Sequence, residues 1–231
     1  MADLHHPPTA VLLDLDGTLV DSGHLWHRAY RAWAASAGVH LPPDWWAAVV
    51  GASLPGSIRT LAPDHTDAEV TTDIEVVVTE AAAALSAEPA GSATLVTWRP
   101  GARELLAALD AAGVATAVVT TTPRRVLDAI DEHLGLDVLV TVAGDEVTRG
   151  KPDPEGYLRA AAALEVDPGG CVVIEDSPTG VAAAEAARMR LLVVAGEVPV
   201  PAGPTRRVVP SLTGVDLGVL AALRPPGPPP A

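Results

Sequence analysis

The sequence predicts an α/β fold: a doubly wound parallel sheet core, interrupted after its first strand by an all-helical insertion. Three observations carry this. Residues 10–15, AVLLDL, form a short apolar run of the kind found in strands buried on both faces. After Pro100, helical and strand patterns alternate regularly. Between these regions, residues 38–97 contain helix-like pieces and no clear buried strand.

The elements follow in order. The first strand ends in Asp14, Asp16 and Gly17, and Ser22–Ala37 reads as a helix with Leu25, Ala29, Trp33 and Ala37 on one stripe. Asp44–Val50, Gly56–Leu61 and Asp67–Leu85 read as further helices, the last including the β-branched run Val76–Val78. Glu88–Thr94 has a linker composition. Helices over 101–112, 123–134, 155–164 and 178–188 are each followed by a strand, over 114–119, 138–142, 171–174 and 190–194. This predicts a Rossmann-like core over residues 1–20 and 98–231 and a helical cap over 21–97, with hinges at 18–22 and 88–98. The Pro-rich segment 224–231 is expected to be a disordered tail.

Composition narrows the function. A formal charge of −14 argues against nucleic acid or an anionic membrane as partner, since both require clustered cations. It leaves a phosphorylated small molecule open, because a metal ion can reverse the local potential. With the single cysteine, Cys171, no intramolecular disulfide can form, and the start of the chain lacks a basic segment followed by an apolar run. Both point to the cytoplasm.

Four strand ends carry polar residues where open α/β sheets bind ligands: Asp14–Thr18, Thr120, Lys151–Pro152 and Glu175–Asp176. Asp14 and Asp16 would repel one another unless a divalent cation relieved them, and hard oxygen ligands suit Mg²⁺. Glu175 and Asp176 supply a second acidic pair. Lys151 is the only lysine in the sequence, and a compact ammonium suits a phosphate or carboxylate cluster. Thr120 offers a hydroxyl, and the amides of Thr121 and Thr122 precede Pro123 and a helix, whose free N–H groups favour anions.

Together, DLDGTLVDS, the strand-end Thr120, GKPDP and IEDSPTG resemble the four motifs of the haloacid dehalogenase superfamily over residues 10–195. The insertion resembles the helical cap of the subgroup containing phosphoglycolate phosphatase, sugar-phosphate phosphatases and β-phosphoglucomutase. The resemblance implies a phosphatase of small phosphate monoesters, acting as a monomer or homodimer. It implies Asp14 as nucleophile and Asp16 as general acid and base. Mg²⁺ would be held by Asp14, the Asp16 carbonyl and Asp176, with Glu175 behind or beside them. Thr120, Thr121 and Lys151 would bind the phosphoryl group.

Two related activities fit less well. Dehalogenases of this pattern lack the second aspartate, and phosphonate hydrolases use a cap lysine, of which residues 21–97 contain none. A sugar phosphomutase of the β-phosphoglucomutase type remains an alternative. That type carries a histidine twelve residues after the nucleophile, where this chain has Trp26, flanked by His24 and His27. It also has an arginine in the first cap loop, and Gly51–Leu54 offers none. A catalytically silent phosphometabolite-binding module is a third reading, opposed by the intact set Asp14, Asp16, Thr120, Lys151 and Asp176. Trp26, Trp45 and Trp46 read as cap core, Cys171 as a buried thiol, Arg124–Arg125 as a solvated helix face and His5–His6 as a disordered terminus.

Overall fold

The computed structural model describes residues 7–89, 92, 94–203 and 205–224; His5, His6 and the tail beyond Arg224 lie outside them. The main sheet has six parallel strands: β1 (Ala10–Leu13), β4 (Ala115–Val119), β5 (Val140–Val142), β6 (Cys171–Glu175), β7 (Arg190–Val194) and β8 (Arg206–Val209), in the order β5-β4-β1-β6-β7-β8. The central strands are apolar throughout because both faces are covered. Val11, Leu13, Val118, Val172 and Ile174 join one hydrophobic cluster with α5 (Ala102–Ala111) and α6 (Arg124–Leu134). Ala10, Leu12, Ala117, Val119 and Val173 join the opposite one, against α7 (Glu155–Ala163) and α8 (Pro178–Ala186).

Between β1 and β4 the chain leaves the sheet through a two-residue strand, β2 (Val20–Asp21), and returns through β3 (Thr97–Trp98). The two pair antiparallel, Val20 opposite Trp98 and Asp21 opposite Thr97, so both connections run side by side as one narrow ribbon. Four helices lie between them: α1 (Gly23–Ala37), α2 (Trp45–Val49), α3 (Leu54–Leu61) and α4 (Asp67–Ser86). Leu25, Ala29 and Trp33 of α1 and Val70, Val77 and Ala81 of α4 bury at the helical spacing and share one core. A capping box starts α4: the Thr66 hydroxyl accepts from the Glu69 amide, and the Glu69 carboxylate accepts from the Thr66 amide. The run Val76–Val78 is helical, as the surrounding pattern requires.

Strand β8 and the β2–β3 ribbon escape the sequence pattern. Strand β8 reads RRVV and lies at the sheet edge, where Arg206 forks onto Glu185 of α8 at 2.9 and 3.1 Å. Edge position and solvent on one side remove the apolar run that marks the inner strands. A final helix, α9 (Leu217–Ala221), closes the described chain. Among the described residues, no helix is long and apolar enough to cross a membrane.

Candidate active site

Strand β1 lies between β4 and β6, and the chain winds away from it in both directions, so a crevice opens beyond its carboxyl end. Asp14 is the first residue past β1, and its amide donates to the Ile174 carbonyl at 3.0 Å, which fixes it beside β6. Strand β6 ends in Glu175 and Asp176. Ser177 then caps α8, its hydroxyl accepting from the Gly180 amide at 3.0 Å, with Pro178 in the first turn.

Lys151 is the hub. Its ammonium donates to Asp14 Oδ1 at 2.6 Å, to Glu175 Oε1 at 2.6 Å and to the Val119 carbonyl at 2.9 Å, which engages all three of its protons. Burial disfavours this cation, yet the two carboxylates outweigh burial and hold its pKa well above the ordinary lysine value. Glu175 is fully buried and saturated. Its Oε1 also accepts from the Tyr157 hydroxyl at 2.9 Å, and its Oε2 accepts from the Asp176 amide, the Ser177 amide and the Ser177 hydroxyl. Burial alone would raise its pKa, but Lys151 and these donors hold it below the usual glutamate range.

The other two carboxylates move the opposite way. Burial pushes Asp14 well above the usual range, with Glu175 and Asp176 adding to the rise and Lys151 only partly offsetting it. Burial and Glu175 push Asp176 up to about 7. Carboxylate oxygens of Asp14, Glu175 and Asp176 lie within 4.8 Å of one another. Among the described residues, the Asp176 carboxylate accepts only a long hydrogen bond, from Thr18 Oγ1 at 3.5 Å. Room beside it is kept by Gly17, at φ +83°, and Gly196, since a Cβ at either position would collide with its carboxylate. Crowded, under-neutralised oxygens without a sulfur or imidazole in the cluster fit a hard divalent cation. Asp14 and Asp176 line the cavity, whereas all the oxygens of Glu175 are engaged by hydrogen bonds.

Asp16 does not join that cluster. Its Oδ1 accepts from the Ser22 hydroxyl and from the Trp26 indole N–H at 3.0 Å. Its Oδ2 accepts from the hydroxyls of Thr120 at 3.2 Å and Thr122 at 2.6 Å. Thr120 in turn accepts from the Thr122 amide at 3.0 Å, so this strand end is folded around the Asp16 carboxylate. Thr121 lines the adjoining cavity of about 290 Å³, as do Asp14, Asp16, Lys151 and Asp176.

Several residues take parts that their sequence context did not announce. Trp26 and Trp46, read as cap core, are half-buried and line the cavity, and only Trp45 is buried core. Arg124, read as part of a solvated face, is clamped to Glu146, Asp128 and Thr141. Arg125 reaches across to Thr79 of α4 at 3.1 Å. Thr122 and Tyr157, which hold Asp16 and Glu175, carry no local signal: each acts through a partner distant in sequence. Cys171 is buried, as expected, and burial raises its thiol to about 11.

This constellation on this sheet defines a hydrolase of the haloacid dehalogenase type. The chain belongs to the haloacid dehalogenase-like hydrolase family, which its sequence matches over residues 8–188. It is 36% identical over 181 residues to validoxylamine A 7'-phosphate phosphatase of Streptomyces hygroscopicus subsp. limoneus, covering 76% of this chain and 80% of that protein. It is 35% identical over 190 residues to hexitol phosphatase A of Escherichia coli, covering 79% and 81%. Its structure is similar to that of CbbY from Rhodobacter sphaeroides in complex with phosphate, with a TM-score of 0.80 and 26% identity over 92% of this chain and 99% of that one. Family and relatives together make the chain a phosphoric monoester hydrolase.

Proposed function

We propose that the protein is a Mg²⁺-dependent phosphatase of a small phosphate monoester, of the sugar phosphate or phosphoglycolate type, acting in the cytoplasm through an aspartyl-phosphate on Asp14. The observation that carries this reading is the buried Asp14–Lys151–Glu175 triad, with Asp176 alongside and a second aspartate, Asp16, two residues from the first. Asp14 Oδ1 is held by Lys151, while Oδ2 accepts no hydrogen bond among the described residues and Asp14 borders the cavity. Oδ2 is therefore the oxygen free to attack phosphorus.

In the first half-reaction a P–O bond forms to Asp14 and the ester P–O bond breaks. Asp16 gives its proton to the departing alkoxide oxygen. In the second, Asp16 takes a proton from the attacking water, the aspartyl P–O bond breaks, and inorganic phosphate leaves. Lys151 offsets charge on the phosphoryl oxygens, and the Thr120–Thr122 turn supports them through the Thr121 face of the cavity. Asp14, the Asp16 carbonyl and Asp176 would hold Mg²⁺, with Glu175 behind them through Lys151 and the Asp176 amide. The cation, when bound, neutralises the crowded carboxylates and lets Asp14 meet a phosphoryl dianion.

Trp26 favours phosphatase over phosphomutase. Its indole N–H holds Asp16, and an indole can neither take nor pass on a proton. Residues 21–97 act as a cap over a core of 1–20 and 98–231, hinged on the β2–β3 ribbon. The test is a panel of phosphate esters with Mg²⁺, reading released phosphate. The reading predicts turnover of at least one small monoester and none in excess EDTA. Full activity in EDTA, or none on any ester, contradicts it.

A further inference from the structure

Tyr157 is fully buried at the third position of α7, in the apolar cluster that holds Leu12, Val119 and Val173. A phenylalanine would fill that place equally well, and a buried hydroxyl is costly unless it is bonded. This hydroxyl donates to Glu175 Oε1 at 2.9 Å. The ring centroid lies 5.2 Å from Lys151 Nζ, within the range of a cation–π contact. One side chain therefore meets both members of the Lys151–Glu175 ion pair. Gly156 makes the approach possible: a Cβ there would lie 2.9 Å from Val119 Cγ1, so glycine lets the first turn of α7 press against the end of β4.

The two oxygens of Glu175 are held differently. Oε2 accepts from chain neighbours, the Asp176 and Ser177 amides and the Ser177 hydroxyl. Oε1 has two donors, Lys151 and Tyr157, both supplied by the segment that runs into α7. Lys151 commits its three protons to Asp14, Glu175 and Val119, so none is left for a phosphoryl oxygen. As phosphorus bonds to Asp14 Oδ2, the aspartate gives up its charge, and the demand for the ammonium moves to the phosphoryl oxygens. Lys151 must then release an acceptor. Glu175 Oε1 is released at least cost because Tyr157 stays on it, whereas a buried oxygen stripped of its sole donor would be left bare.

We propose that Tyr157 is a positioning residue for phosphoryl transfer: its hydroxyl keeps Glu175 in place while Lys151 turns one N–H from Glu175 Oε1 to a phosphoryl oxygen, and its ring faces the ammonium through that turn. The proton stays on Nζ throughout, and only its acceptor changes. The inference rests on the phosphatase reading and adds to it a residue outside the four sequence motifs.

Tyr157→Phe removes the hydroxyl and keeps the ring and its packing. On the Mg²⁺-loaded full chain, with p-nitrophenyl phosphate as probe, kcat is expected to fall about tenfold, the loss of one hydrogen bond to a charged group, with KM within about twofold of wild type. Orthovanadate, which takes up the five-coordinate arrangement of a transferring phosphoryl group, should inhibit about tenfold more weakly, and inorganic phosphate, a ground-state ligand, should inhibit within about twofold as well as before. A tyrosine that only supports the core would lower the urea midpoint of unfolding and leave the vanadate-to-phosphate ratio as in wild type. A fall in kcat smaller than about threefold, a loss carried by KM, or equal weakening of vanadate and phosphate overturns the inference and leaves the phosphatase reading standing. Calorimetric titration of vanadate and of phosphate into both Mg²⁺-loaded proteins reads the same ratio without turnover. No phosphate released from any ester overturns the phosphatase reading; the calorimetric ratio then still decides the assignment of Tyr157, upheld by a change of about tenfold and overturned by an unchanged ratio.

Discussion

Replacing Lys151 with methionine keeps the volume and removes the charge, leaving Glu175 fully buried without its cation. The folded variant escapes an uncompensated buried carboxylate by protonating it. At pH 7 that costs about 3.7 kcal/mol, at 1.36 kcal/mol per pH unit above an ordinary glutamate value of about 4.3. The figure agrees with the roughly 3–5 kcal/mol lost when one partner of a buried ion pair is removed. At pH 5 the same protonation costs only about 1 kcal/mol. In the folded wild type the Glu175 pKa is depressed, so its stabilisation is present above the unfolded value and is lost as pH falls through the folded value. The variant lacks that contribution, so its deficit must grow as pH rises from 5 to 7. Urea unfolding of both proteins at the two pH values, in EDTA so that no cation substitutes for the ammonium, measures the deficit. A variant within about 1 kcal/mol of wild type at pH 7, or a deficit larger at pH 5 than at pH 7, refutes the triad as the organiser of this site.

Three further substitutions separate the roles. Asp16→Asn is expected to lose about 10²–10⁴-fold on an alkyl phosphate and much less on an aryl phosphate, whose leaving oxygen needs little protonation; equal losses on both contradict the acid role. Trp26→Phe removes one donor from Asp16, and with about 1.5 kcal/mol or more for a hydrogen bond to a charged group, kcat should fall about tenfold while the Mg²⁺ concentration for half-activation stays fixed. Asp176→Asn should raise that half-activating Mg²⁺ concentration by more than about tenfold, measured by titrating metal into chelator-treated protein.

Much of this was legible in the chain because the relevant signals are local. The buried strands announce themselves as AVLL, CVVIE and RLLVV, since a sheet covered on both faces admits no polar alternation. Lys151 stood out as the single lysine, and the acidic pairs stood at strand ends. What stayed hidden depends on residues brought together by topology. Thr122, in the turn after β4, and Trp26 of α1 converge on Asp16, and nothing in either local sequence says so. Trp46 looks like core until Glu197, 151 positions away, accepts its indole proton. Strand β8 carries no apolar run, because it begins with two arginines and lies at the sheet edge. Of the five donors that meet at Glu175, those of Asp176 and Ser177 are its chain neighbours, whereas Lys151 and Tyr157 reach it only through the fold.

The central claim is that phosphorus passes through Asp14. The most direct measurement is acid quenching of Mg²⁺-loaded protein during turnover of a hexose 6-phosphate, followed by mass spectrometry of its peptides. The account predicts one added phosphoryl group on the peptide carrying Asp14, at residue 14 itself, decaying when substrate is exhausted and absent from Asp14→Asn, which turns nothing over. A phosphoryl group on any other residue, or sustained turnover by Asp14→Asn, contradicts it.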